Sequence, residues 1–287
     1  MPPCPSARKI GTMMIQPFLI SLAARLGRIG AFLWSGWAGL AALALLFAAW
    51  QAGHEAYGPF ILSAPLDTMG TVGALAVDPA AWEIAALTLQ RALSGFFLVA
   101  AAGTALGVAA GYFPAILRLV TPLVTVLLGV PPIAWIVLAM IWFGGSDATV
   151  RTVILISALP VVFMGAARGI TTRDRRLDRL AEAFGAGPLR RFLTMGLRQT
   201  TTTLFPALAL ALGTAFKVAV MAELLANAGG IGGALADARI NLDIELALAW
   251  VLIAVTLLIA VEYTLVQPVK AEIDRWRHAA RPWGVKR

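Results

Sequence analysis

Residues 179–193 read "RLAEAFGAGPLRRFL". Together with the residues just before them, they carry Leu177, Leu180, Ala181 and Phe184 at i, i+3, i+4 and i+7, one apolar stripe on an otherwise charged segment. Thr171 or Thr172 can cap a helix here, and Asp174 lies in the first turn, where the helix dipole favours an anion. Gly185, Gly187 and Pro188 stop the helix after about three turns. On both sides lie segments apolar enough to enter a bilayer. The reading that decides the fold is therefore a sharply capped amphipathic helix held outside the lipid, between membrane spans.

Composition agrees with the flanks. Of 287 residues 60% are hydrophobic and 13% charged, a balance that sets the chain apart from soluble domains. The net charge is +8, yet 19 of the 23 basic residues are arginines, most of them in short segments beside apolar runs. That distribution marks orientation in a membrane rather than a nucleic-acid face. One cysteine, Cys4, excludes an intrachain disulfide, and His54 and His278 are too far apart in sequence for a Cys/His metal set. Met13, Met14, Met140 and Met164 have no metal-binding spacing either.

A crossing helix needs about 20 apolar residues. Six segments qualify: Ala31 to Gln51, about Arg91 to Tyr112, Leu117 to Phe143, Val150 to Ile170, Leu204 to Ala226, and Leu246 to Val266. The expected fold is an all-α integral membrane protein of about six transmembrane helices. Pro131 and Pro132 stand in the middle of the third span, where they remove two backbone donors and predict a broken or sharply kinked helix. Pro160 predicts a kink in the fourth. Trp34, Trp37 and Trp50 sit near the ends of the first span and fit interfacial anchors, while Trp135, Trp142 and Phe143 read as packing or anchoring groups.

Charges in the connecting segments alternate in sign. Residues 1–30 hold Arg8, Lys9, Arg25 and Arg28 with no acid, whereas Glu55, Asp67, Asp78 and Glu83 follow the first span. Between the fourth and fifth spans stand Arg168, Arg173, Arg175, Arg176, Arg179, Arg190, Arg191 and Arg198 against Asp174, Asp178 and Glu182. Asp237, Arg239, Asp243 and Glu245 follow the fifth, and the tail from Lys270 is basic. The positive-inside rule then puts both termini and the amphipathic helix in the cytoplasm. The expected layout is a cytoplasmic N-terminal segment 1–30, unstructured at least through Ile10, a transmembrane domain 31–277 and a tail 278–287.

Inside the spans, Gly95, Gly103, Gly107 and Gly111 form one ridge at four-residue spacing, interrupted by Val99, which lets helices approach closely, either within the chain or at a dimer seam. Lys217 and Glu223 are ionisable groups in the fifth span and invite a functional reading by default. With Pro131 and Pro132 they are the candidate lining of a translocation path. Six residues separate Lys217 from Glu223, about 600 degrees of helix, so they point to different faces. Lys217 has two further readings, bonding to carbonyls freed near the proline break or snorkelling. Glu223 also suits capping within the "ANAGGIGG" turn at 226–233.

The stripe of the cytoplasmic helix must be buried, either on lipid headgroups or in a groove on a partner protein. What surrounds it resembles the binding-protein-dependent ABC importer permeases, whose cytoplasmic loop forms a coupling helix. The resemblance covers residues 82–277. "PLVTVLLGVPPIAWIVLAMIWFGGSDATVRTVIL" (122–155) and "AELLANAGGIGGALADARINLDIELALAWVLI" (222–253) are most similar to the nitrate, sulfonate and taurine permease branch. The resemblance implies a type I importer permease architecture in the bacterial inner membrane and a coupling region over about 171–198. It implies docking of an ATPase subunit by Leu177, Arg179, Leu180, Ala181, Glu182, Ala183, Phe184, Gly185 and Ala186. It further implies a dimer of permeases, two ATPase subunits holding ATP and Mg, an extracytoplasmic solute-binding protein and a small anionic cargo. The glycines 229, 230, 232 and 233 read as a flexible turn shaping the outer gate by the same resemblance.

At the docking site the chain departs from the family. Aligned on Gly185, Arg179 takes the place of a glutamate, Leu180 that of an alanine, and Leu197-Arg198 that of Leu-Pro, while Ala181 and Gly185 agree. An acidic residue on the partner is expected opposite Arg179.

None of the four lysines (Lys9, Lys217, Lys270, Lys286) follows a glycine, so a phosphate-binding P-loop is excluded and any ATPase must be elsewhere. No G-x-S-x-G elbow is present and the histidines lie outside the spans, which speaks against a membrane-embedded enzyme. A stand-alone secondary carrier or channel is the alternative. No inverted repeat is visible to support it, and co-purification with a nucleotide-binding subunit separates the two.

Overall fold

The computed structural model describes residues 37, 39–191 and 196–279. The N-terminal segment 1–30, positions 31–36 and 38 of the first expected span, positions 192–195 and the tail from 280 lie outside the described residues. The described chain divides after Pro65. In the first unit, α1 (39–57) is an apolar helix that ends at Gly58, whose φ of 80° suits glycine. The chain then turns back on α1: Trp50 Nε1 donates to the Ser63 carbonyl (2.9 Å) and His54 Nδ1 to that of Leu62 (2.7 Å).

The second unit is an all-α bundle. Its elements are α2 (Pro65–Val77), α3 (Pro79–Tyr112), α4 (Pro114–Gly129), α5 (Pro132–Phe143), α6 (Asp147–Thr171), α7 (Arg175–Ala183), α8 (Pro188–Arg191), α9 (Leu197–Ala226), α10 (Gly230–Ile240), α11 (Ile244–Val261) and α12 (Gln267–Ala279). A π-helical turn, Glu262–Val266, joins α11 to α12. Among the described residues, four helical stretches are long and apolar enough to cross a membrane: Pro79–Tyr112, Asp147–Thr171, Gln199–Ala226 and Ile244–Ile273. The α4–α5 pair makes a fifth if it is one span.

That pair is bent by 94°, the break expected at Pro131-Pro132. Val130 is extended, as a residue before proline prefers, Pro131 follows at ψ 140°, and Pro132 starts α5 at the first helical position, where its missing N–H is no loss. Through Pro160 and Pro206, by contrast, α6 and α9 continue.

Two departures from expectation bear on the site. The second span does not begin near Arg91: α3 starts twelve residues earlier, at Pro79, capped by Asp78 Oδ1 accepting from Ala80 N–H (2.9 Å). Arg91 stands inside the helix because carboxylates from distant segments neutralise it. Residues 230–240 are not a flexible turn but α10. Gly230 and Gly232 are buried there, and a Cβ on Gly232 would stand 2.3 Å from the Val220 carbonyl oxygen.

The centre of the bundle is α6, clasped between α3 and α9. Gly95, Gly103, Gly107 and Gly111 face it: Cβ atoms added there would lie 2.9 Å from Ile154, 2.9 Å from Val162, 2.4 Å from the Phe163 carbonyl oxygen and 2.6 Å from Ile170. The ridge is thus filled within the chain. On the other side Gly165 and Gly169 meet α9 at Ala207 and Thr200, and Thr203 Oγ1 donates to the Gly165 carbonyl (3.0 Å). Val99, Val150, Val153, Ile154, Val162, Ala215 and Ala219 complete the core. Packing of this kind lets van der Waals contact and interhelical hydrogen bonds hold helices that gain nothing from hydrophobicity in lipid.

Candidate functional site

At one end of the bundle the chain leaves α6, makes α7 and α8, and returns through α9. Neither Thr171 nor Thr172 caps α7. Both hydroxyls donate back to the Arg168 carbonyl at the end of α6 (3.2 and 2.7 Å). The cap is Asp174, whose Oδ1 accepts from Arg176 N–H (2.8 Å), so α7 is nine residues long, shorter than three turns. An aspartate competes well for this position because its charge also suits the positive end of the helix dipole.

The other end of α7 is a Schellman turn. Gly185 takes φ 76°, its N–H donates to Glu182 O (2.9 Å), and Ala186 N–H donates to Ala181 O (3.0 Å). The next helix is tied back by an ion pair, Arg191 Nη1 to Glu182 Oε2 (2.8 Å).

Two more contacts fix α7 to the spans. Asp174 N–H donates to Gln199 Oε1 (2.8 Å) on α9. Arg173 Nη1 donates to the Tyr112 hydroxyl (2.9 Å) at the end of α3, its guanidinium 5.1 Å from the ring centroid. With both ends held, the stripe is left uncovered: Leu177, Leu180 and, at 83%, Phe184 are exposed, while Ala181 at 7% faces inward. Arg179, Glu182 and Ala183 are exposed beside them, and Ala186 is half-buried. A small apolar face rimmed by charge and locked in orientation is suited to seat in a groove on another surface.

The opposite end of the bundle, where α9 turns into α10, holds a buried ion cluster that the sequence reading missed. Glu223 is fully buried. Its Oε1 accepts from Arg91 Nη1 (2.9 Å), and its Oε2 from Thr88 Oγ1 (2.8 Å) and Gly232 N–H (3.2 Å). Arg91, 4% exposed, also donates from Nε to Asp147 Oδ1 (2.9 Å), from Nη2 to the same oxygen, and from Nη2 to the Ala228 carbonyl (2.9 Å). Thr88 Oγ1 in turn accepts from Ile231 N–H (2.8 Å). Asp147 is half exposed and lies 3.6 Å from Arg151.

Glu223 was expected to line a path and to bond within the glycine-rich segment; its carboxylate does the second, binding an N–H at the start of α10. It also explains Gly230, whose φ is 71° and where a Cβ would stand 2.6 Å from that carboxylate. Thr88 and Arg91, one turn apart, were the local signal of a polar face. Their partners are 56 to 143 residues away, and nothing local reveals them.

The remaining expected path residues lie apart. Pro131 and Pro132 form the α4–α5 bend, and Lys217 is exposed on α9 beside a cavity shared with α11. It does not contact Glu223 in any described interaction, as their helical spacing requires.

Residues 103–275 match the family described as binding-protein-dependent transport system inner membrane component. The nitrate import permease protein of Leptolyngbya laminosa is 31% identical over 173 residues, 59% of this chain and 62% of that protein. The taurine transport system permease protein of Escherichia coli is 25% identical over 197 residues, 66% of this chain and 72% of the relative. A nitrate import permease protein from Synechococcus elongatus is 28% identical over 180 residues, 63% of this chain and 62% of its own length. The matched part thus falls short of two thirds of either nitrate permease.

Proposed function

Because this chain belongs to the binding-protein-dependent transport system inner membrane component family, we propose that it is the membrane-crossing subunit of an ATP-driven importer for a small anionic solute. In this reading α7 is the coupling helix over a region of about 171–198, and it docks on a separate ATPase subunit that holds ATP and Mg. The complex contains a second copy of the permease and receives cargo from an extracytoplasmic binding protein. It sits in the inner membrane with about six crossings, including the first at 31–51, and with both termini and α7 in the cytoplasm. Closure of the ATPase pair draws two coupling helices together and opens the spans outward, and hydrolysis resets them. The names of the relatives, which include a Bacillus subtilis protein named for aliphatic sulfonates transport, support nitrate, a sulfonate or a taurine-like compound as the cargo class.

The observation that carries the proposal is the exposure of Leu177, Leu180 and Phe184 on a helix whose start is fixed to α3 and α9 and whose end is tied to α8. Such a helix transmits a push. It also has no covering surface of its own.

Cysteines at 180 and 184 should crosslink in membrane vesicles to the co-expressed ATP-hydrolysing subunit. Crosslinks to phospholipid alone overturn the reading. Phe184→Ala should weaken ATPase association by roughly thirtyfold, the effect of losing a buried aromatic anchor worth about 2 kcal/mol. Arg179, exposed where the family has a glutamate, faces an acid on that subunit. Arg179→Glu should therefore lower coupled ATP hydrolysis tenfold or more through like-charge repulsion and a lost pair. Hydrolysis at the wild-type rate removes the acidic partner.

A further inference from the structure

Between α9, α10 and α11 lies a cavity of about 250 Å³, its walls formed by residues including Phe216, Val220, Leu235, Trp250 and Leu258. Lys217 is the one charged group on that lining, and no lining side chain is an acid or an amide. The lysine is nine residues from the end of α9, roughly 14 Å along the helix axis, farther than its four-carbon stem reaches. Its side chain is exposed and has no hydrogen bond or ion pair with any described residue. The buried charges at this end of the bundle are matched: Arg91 is held by Glu223 and Asp147, and Asp147 by Arg151 as well. An ammonium at this depth is costly against hydrocarbon and marks a place where a counter-charge arrives.

We infer that Lys217 is the anion contact of a solute site in the α9–α11 cavity, and that the site selects monovalent oxyanions over zwitterions. This rests on the importer reading and sharpens it. A single ammonium neutralises one negative charge, so a divalent anion would remain half compensated in an apolar cavity. A zwitterion such as taurine would bring a cation that meets no acceptor side chain. At about 250 Å³ the cavity has room for a small solute such as nitrate or a short alkanesulfonate. In such a pose an oxygen accepts from Lys217 Nζ and any alkyl part rests on the apolar wall.

The test uses the purified permease–ATPase complex in detergent. Its thermal unfolding is followed in sodium nitrate, sodium methanesulfonate and taurine, each against sodium chloride at equal ionic strength. The wild type should show a saturable upward shift with nitrate or methanesulfonate that exceeds the shift with taurine. Lys217→Gln should raise the half-saturating concentration tenfold or more, and Lys217→Arg should keep it within about threefold. A general structural role would instead lower the unliganded transition and leave the half-saturation alone. Absence of any anion-specific shift in the wild type, an unchanged half-saturation in Lys217→Gln, or an equal response to taurine each overturns the inference. ATP hydrolysis by the same preparation separates the two levels. An active complex without the anion response sinks only the Lys217 site, whereas failure of any ATPase to associate sinks the importer reading itself.

Discussion

Arg91→Ala should lower the stability of the chain by about 3–5 kcal/mol, because it strands the Glu223 carboxylate in a site closed to solvent. The loss is larger than that of an ordinary ion pair. Glu223 is fully buried, and Arg91 provides the only cation among its described partners; Thr88 and the Gly232 N–H supply dipoles alone. The same guanidinium also holds the Ala228 carbonyl in the turn between α9 and α10, so its removal loosens the entry to α10 as well. Glu223→Ala should cost a similar amount, for the mirror-image reason. Asp147→Asn should cost about 1 kcal/mol or less, since that carboxylate is half exposed and screened. Thermal and denaturant unfolding of the purified protein reads this order. The double variant Arg91→Met with Glu223→Met tests the cause: if stranding of a charge is the penalty, it recovers much of the loss. Equal effects of Arg91→Ala and Asp147→Asn would show that the cluster is not the buried lock described above.

Gly107→Val should be the most damaging of the glycine-ridge substitutions, at about 3 kcal/mol or more. A Cβ at Gly107 would stand 2.4 Å from the Phe163 carbonyl oxygen and 2.7 Å from Ala166 Cβ. Backbone cannot step aside as a side chain can, so α3 and α6 must separate and give up contacts along their shared length. At Gly103 and Gly95 the nearest atoms belong to the side chains of Val162 and Ile154, and the loss there should be smaller. Gly129 meets nothing within 4 Å, so Gly129→Ala is the matched control and should be near neutral. Melting temperatures, together with the yield of a disulfide engineered between α3 and α6, give the comparison. A Gly107 variant as stable as the Gly129 control would contradict the close approach of the two helices.

What could be read from the amino-acid order follows the range of each interaction. The break at Pro131-Pro132 and the stop at Gly185 were legible because a proline ring or a left-handed glycine acts on its immediate neighbours. The stripe of Leu177, Leu180 and Phe184 was legible because helical periodicity is local too. The start of α3 was not, because a charge count treats Arg91 as a boundary, whereas Glu223 and Asp147 absorb its charge from 132 and 56 positions away. Nor was α10: a run of glycines looks like a free turn until one sees that Val220 and Glu223 leave no space for a side chain. Asp174 displaced Thr171 and Thr172 as the cap of α7, since both threonines were already engaged in closing α6.

Glycine on both flanks of α6 has a mechanical consequence. A helix gripped by backbone on two sides has little slack for sliding, so α3, α6 and α9 form one stiff block. Outside that grip stand α4, which meets α5 at a right-angled elbow, and the last long helix, set off from α9 by cavities and carrying a wider turn at Glu262–Val266. Less surface holds these two to the block than holds the three block helices to one another, so a force applied to the bundle would deform there first.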